Sequence, residues 1–139
     1  MSEQHIELSK LAIRGVIDSY SNAVSRRDWA LLSSLFAEDA IWSTRGTGTD
    51  RDIDGRDKIV ETISGTLKAL PVLLSMPSGH FIEVDGDRAK ASTVMMERVV
   101  IDKDRGKVQY GIYHDTLART GGTWKFQTRV FHTIHVDES

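Results

Sequence analysis

His80 opens the stretch "SGHFIEVDGD" (78–87) and is the side chain best suited by type to move a proton at neutral pH. An unperturbed imidazole titrates at about 6.5. Its setting reads as a β-strand, with Phe81, Ile82 and Val84 leading to a turn at Asp85-Gly86-Asp87. At such an entrance a histidine can be a hydrogen-bonded core group, a metal ligand or a proton-transfer group in a pocket. The metal reading lacks partners. His132 and His135, three apart on an expected strand, point to opposite faces, His114 alternates away from Asp115, and His5 lies near the terminus. With no cysteine in the chain, disulfides, zinc–thiolate sites, iron–sulfur clusters and a thiol nucleophile are excluded. The glycines of "RGTGTDRDIDG" (45–55) match neither phosphate-cradling pattern.

The elements that must position these groups change type along the chain. Leu8, Leu11, Ala12, Val16, Tyr20 and Ala23/Val24 recur at helical spacing, widened by Ile13 and Ile17, while Arg14, Asp18, Ser21 and Asn22 lie mostly on the other side. Asp28 can cap a second helix, "WALLSSLFAED" (29–39), followed by a short strand "AIWST". A third helix, "RDKIVETISGTLKAL", places Ile59, Ile63, Leu67 and Leu70 on one side and stops at Pro71. From residue 79 onward the pattern becomes three consecutive hairpins. Helices first and strands second predict an α+β domain.

A chain of 139 residues is one domain, 1–139, with no internal repeat or linker. The net charge of −2 is spread without long runs, so neither nucleic acid nor an anionic membrane is an expected partner. "MSEQHIELSK" lacks the order of a signal peptide, and no apolar run approaches the roughly 18 residues of a membrane span. The expected location is the cytoplasm.

Four phrases carry a resemblance across nearly the whole chain: "DWALLSSLFAEDAIW" (28–42), Gly55 before the third helix, "GHFIEVDGDRAKA" (79–91) and "GIYHDTLARTGGTWKFQTR" (111–129). With the order of elements, they resemble the nuclear-transport-factor-2-like superfamily, in its SnoaL-like branch. The resemblance implies a cone: a curved antiparallel sheet wrapped around the three N-terminal-half helices, with an internal apolar pocket. It also implies no cofactor, a hydrophobic small-molecule ligand and a homodimer through the outer sheet face. The superfamily spans dehydratases, dehydrochlorinases, isomerases and non-catalytic domains, so fold alone does not choose the activity.

Residue by residue, the resemblance implies that His80 is a general base, Tyr20 an oxyanion or leaving-group donor and Arg129 an anion stabiliser. Asp115 falls near the protonated aspartate of ketosteroid isomerases, or orients His80. Strand alternation puts Gly111, Tyr113 and Asp115 on one face, Val94, Met96 and Arg98 on one face of the neighbouring strand, and Gln127 with Arg129 opposite Phe126 and Thr128. Ser25, Trp42, Val94, Met96 and Tyr113 are the expected pocket wall. Two departures stand out. Ser25 occupies the position of the aspartate that pairs with the histidine in dehydratase-like members, and Thr44 the position of the isomerase base. The expectation is cofactor-free acid–base chemistry, elimination or a proton shift, on a hydrophobic cyclic substrate. The alternatives are a non-catalytic ligand-binding or assembly domain, and a ketosteroid-isomerase-like enzyme.

Overall fold

The Ser2 side chain accepts from the His5 backbone N–H and starts helix α1 (Glu3–Arg26) in the computed structural model, which describes residues 2–46 and 50–138. Arg27 ends the helix in the left-handed conformation (φ 62°), returning its N–H to Ala23 O. The buried stripe runs through Ser9, Ile13, Ile17, Tyr20 and Val24. Leu8 and Leu11, expected within it, are 61% and 67% exposed: the apolar arc is wider than the sheet surface it covers, and the Ile13–Ile17 side packs.

Asp28 caps α2 (Trp29–Ser34) through Leu31 N–H. The helix stops at Ser34 rather than Asp39, because Leu35 O accepts from Phe126 N–H and Phe36 joins the sheet beside Phe126. Long-range pairing and the complete burial of Phe36 override the helical reading of "FAED". Strand β1 therefore runs Phe36–Arg45, and β2 (Arg51–Asp54) forms within the expected polar loop. Residues 47–49 of that loop lie outside the described residues. Gly55 (φ 94°) donates to Ala40 O at 2.7 Å and leads into α3 (Arg56–Lys68), whose Ile59, Ile63 and Leu67 are buried.

Strands β3 (Val72–Asp85), β4 (Arg88–Val100), β5 (Gly106–Thr120) and β6 (Thr123–Glu138) form the three expected hairpins, although β3 begins at Val72 rather than 79. The six-stranded sheet has order β2-β1-β6-β5-β4-β3. Its β1–β6 pair is parallel, so the curved, unclosed sheet is mixed rather than wholly antiparallel. Ile13, Ile17, Leu32, Phe36, Ile59 and Phe126 fill the core between helices and sheet. Among the described residues no helix is long and apolar enough to cross a membrane.

Register decides which side chains look inward. On β6, Gln127 and Ile134 are skipped by the pairing with β5, each an extra residue that resets alternation. Phe126 and Arg129 consequently share the inner face, which simple alternation would forbid. On β4, Thr93 pairs with Tyr113 and Met95 with Gly111, so Thr93, Met95 and Glu97 face inward. Val94 and Met96, expected in the pocket wall, are turned outward and are 54% and 38% exposed. On β3 the register shifts at Gly79, whose φ of 71° suits the lack of a Cβ.

Candidate active site

Tyr20 reaches inward from α1 and Tyr113 from β5, and their hydroxyls stand 3.2 Å apart. Arg129, from β6, lies behind them with no exposed surface. Its guanidinium carbon sits 3.6 Å from the Tyr113 ring centre, 4.1 Å from that of Tyr20 and 4.5 Å from that of Phe126. Its Nε donates to Asp115 Oδ1 at 3.0 Å, while both Nη atoms and Asp115 Oδ2 lack partners among the described residues. Ring faces thus supply much of the counter-charge that hydrogen bonds would normally provide. Burial pushes the Asp115 carboxyl up to about 6, against the pull of Arg129. Burial also raises both phenols, Tyr113 more strongly, so each is a protonated donor at neutral pH.

In front of this cluster opens a cavity of about 520 Å³, a size suited to a small organic ligand. Its apolar walls include Val24 and Ile63 from the helices and Val99 and Phe131 from the sheet. Gly111 makes this shape possible. A Cβ there would come within 2.6 Å of the Phe131 ring and strike the His132 carbonyl oxygen, so only glycine lets Phe131 lie flat against β5. Trp42 also lines the cavity, and its buried indole N–H makes no hydrogen bond among the described residues. That N–H lies close enough to the Tyr20 phenol to help hold down its pKa, although no well-formed hydrogen bond joins them.

Glu97 is the carboxylate of this cavity, and neither composition nor alternation singled it out. Burial raises it from 4.5 to about 7, opposed first by Arg129 and then by Lys107. It makes no hydrogen bond among the described residues, and its charge is felt by both Tyr20 and Tyr113. The one available signal was chemical: a lone acid beside Arg98 inside the apolar run "VMMERVVI". Once Val94 and Met96 were expected to face inward, the same alternation turned Glu97 away from the pocket.

His80 is elsewhere. It sits in an open groove between α1 and β3, bordered by Leu11, Arg14 and Phe81, and does not line the cavity of Tyr20. Its Nδ1 is 2.9 Å from Thr93 Oγ1 and its Nε2 is 3.1 Å from Asp18 Oδ1. The imidazole is 8% exposed and Asp18 48%. Its carboxylate partner is therefore Asp18, from the helix face read as solvent-directed. Ser25, expected beside His80 in the pocket, instead accepts from Ser75 N–H at 2.9 Å, while Ser75 Oγ donates to Ser21 Oγ at 2.9 Å. A base paired with position 25 would thus stand at 75, not at 80. The structure brings together Tyr20, Trp42 and Tyr113 around one cavity, with Arg129 and Asp115 behind it. It leaves His80, Ser25, Val94 and Met96 outside.

The SnoaL-like domain family matches residues 8–130. An uncharacterized protein of Mycobacterium tuberculosis is 32% identical over 124 residues, covering 87% of this chain and 82% of its own. Among solved structures, a scytalone dehydratase-like protein of Novosphingobium aromaticivorans superposes with a TM-score of 0.82 at 24% identity, over 94% of this chain and 87% of that one. The hexachlorocyclohexane dehydrochlorinase LinA-type3 of Novosphingobium barchaimii superposes with a TM-score of 0.83 at 16% identity, over 95% and 90%. At such identities these two structures share the fold.

Proposed function

This chain belongs to the SnoaL-like domain family, and from that premise we propose that it is a proton-transfer enzyme acting on a small hydrophobic cyclic molecule, with Glu97 as the base. The observation that supports this is the setting of Glu97: a carboxylate lining the cavity without a hydrogen-bond partner among the described residues, beside two phenols and an indole N–H, with burial pushing it up to about 7. A base poised near the working pH is the most efficient. Glu97 takes a proton from a carbon next to a carbonyl, and the C–H electron pair moves onto the carbonyl oxygen. Tyr20, Tyr113 and the Trp42 N–H are the donors available to that developing oxyanion. Glu97 then returns the proton to another carbon, giving a proton shift. Alternatively a leaving group departs with its electron pair from the adjacent carbon, and Glu97 protonates it, giving elimination. Arg129 is a positioning residue here: it holds the tyrosines from behind and does not line the cavity.

A binding domain without catalysis is the second reading, favoured by the Ser21, Ser25 and Ser75 hydrogen bonds where the resemblance sets an acid. Exchange of the α-protons of 2-tetralone in D2O, followed by NMR, separates the two. The expected result is accelerated exchange that falls about 10³-fold in Glu97→Gln and about 10- to 100-fold in Tyr20→Phe. Unchanged exchange in a folded Glu97→Gln overturns the base assignment, and binding without exchange by the native protein supports the second reading.

We propose also that the outer sheet face joins two copies of the chain. Leu74, Met76, Val94, Met96 and Ile134 stand exposed there, an apolar set that a monomer would leave in water. Sedimentation should show a dimer that Val94→Glu converts to a monomer; a monomeric native protein refutes it.

A further inference from the structure

The cavity has an uneven distribution of charge that proton transfer does not use. Among the described residues three cations line it, Arg45, Arg51 and Lys107, against the single carboxylate of Glu97. Arg45 is neutralised locally: its guanidinium lies 2.6 Å from Asp52 Oδ1, and it also donates to Thr44 O and Arg51 O. Among the described residues Arg51, exposed at the cavity, and Lys107 make no salt bridge and donate no side-chain hydrogen bond, and Lys107 feels the charge of Glu97 without an ion-pair contact. Lys107 is half-buried on the inner face of β5, two residues before Gln109, the cross-strand partner of Glu97. Thr133 and Gln109 line the same cavity and offer neutral hydrogen-bonding groups nearby. The opposite wall is apolar, with Val24, Ile63 and Leu67. A half-buried ammonium with no ion-pair contact, in a cavity where cations outnumber the carboxylate, is only partly compensated for its desolvation until an anion arrives.

Resting on the proton-transfer reading of this cavity, we infer that its substrate is an apolar ring compound bearing a carboxylate, bound with the ring between α3 and the sheet and the carboxylate on Lys107 and Arg51. Such a ligand is held at two points, so its reacting carbon is fixed relative to Glu97 rather than free to slide in an apolar sleeve.

The probes are 2-naphthoate and its neutral isostere 2-acetylnaphthalene, with affinities measured by titration calorimetry at low salt. The expected result is that 2-naphthoate binds about ten-fold tighter, the equivalent of one good charge-assisted contact. Lys107→Met removes most of that preference and Arg51→Met a smaller part. Each variant still binds 2-acetylnaphthalene, which shows that the cavity is intact. Equal affinity for the two probes, or a preference that survives both substitutions, overturns the carboxylate assignment while leaving the proton-transfer reading standing. Failure of both probes to bind overturns both.

Discussion

Two ionisable groups of this molecule sit between sheet and helices, and they are held in opposite ways. His80 has both ring nitrogens engaged, one by Thr93 and one by Asp18, in a groove at the surface. Glu97 has no hydrogen bond among the described residues and looks into a cavity whose neighbours are phenols, an indole N–H and cations. A group that is fully satisfied stabilises the fold around it, whereas a group left short of partners is free to bond to something that arrives. On the proposed reading the contrast reverses the expectation from residue type, with the histidine holding structure and the glutamate carrying the proton.

The widest separation between the two should appear in catalysis. Where Glu97→Gln costs about 10³-fold in proton exchange, His80→Gln should change the rate less than about three-fold. Equal losses would break the comparison. Next in size is the support behind the cavity. Arg129→Met leaves Asp115 buried and unpaired, and should lower stability by about 3 kcal/mol at pH 7.5 in urea unfolding. Adding Asp115→Leu should restore part of it, because the orphaned carboxyl is then gone; no recovery would mean that Arg129 acts through packing alone.

The pH dependence of stability is smaller but carries a definite sign. Glu97 is raised from 4.5 to about 7, so between those values the folded protein holds a proton that the unfolded chain has lost. Stability therefore falls as pH rises through that window and is level above it. Asp115, raised from 3.8 to about 6, adds a slope of the same sign. In Glu97→Gln the Glu97 part should vanish, making the variant relatively more stable at pH 8 than at pH 4 by up to about 3 kcal/mol. A slope unchanged by the substitution would show that Glu97 is not raised. Smallest of all, His80→Ala should cost about 1–2 kcal/mol by unpairing Thr93, with the exchange rate intact.

Periodicity carried the fold further than it carried the site. The α1 stripe, the cap at Asp28, the α3 face and three hairpins are local signals, and each has its counterpart in the structure. "FAED" was not legible as strand because what places it there is Phe126, some ninety residues away in sequence. Tyr20, Trp42 and Tyr113 were legible as pocket residues because a helical stripe and regularly alternating stretches of strand position them. Glu97, Val94 and Met96 were not, because the β4–β5 register is set by the turn between them rather than by either strand's own pattern. Gln127 and Ile134 have nothing in their chemistry that announces a skipped pairing, so the inward turn of Phe126 together with Arg129 was likewise invisible. His80 drew attention through its side-chain type, and Asp18 was overlooked because a charge on a helix's polar face usually meets only water.

Gly111 gives the molecule a fixed floor. The Phe131 ring rests where a methyl group would stand, so the depth of the chamber is set by one hydrogen atom on one residue. Alanine at that site would press on the Phe131 ring and on the His132 carbonyl oxygen alike, so the depth of the chamber cannot change there unless the β5–β6 pairing moves with it.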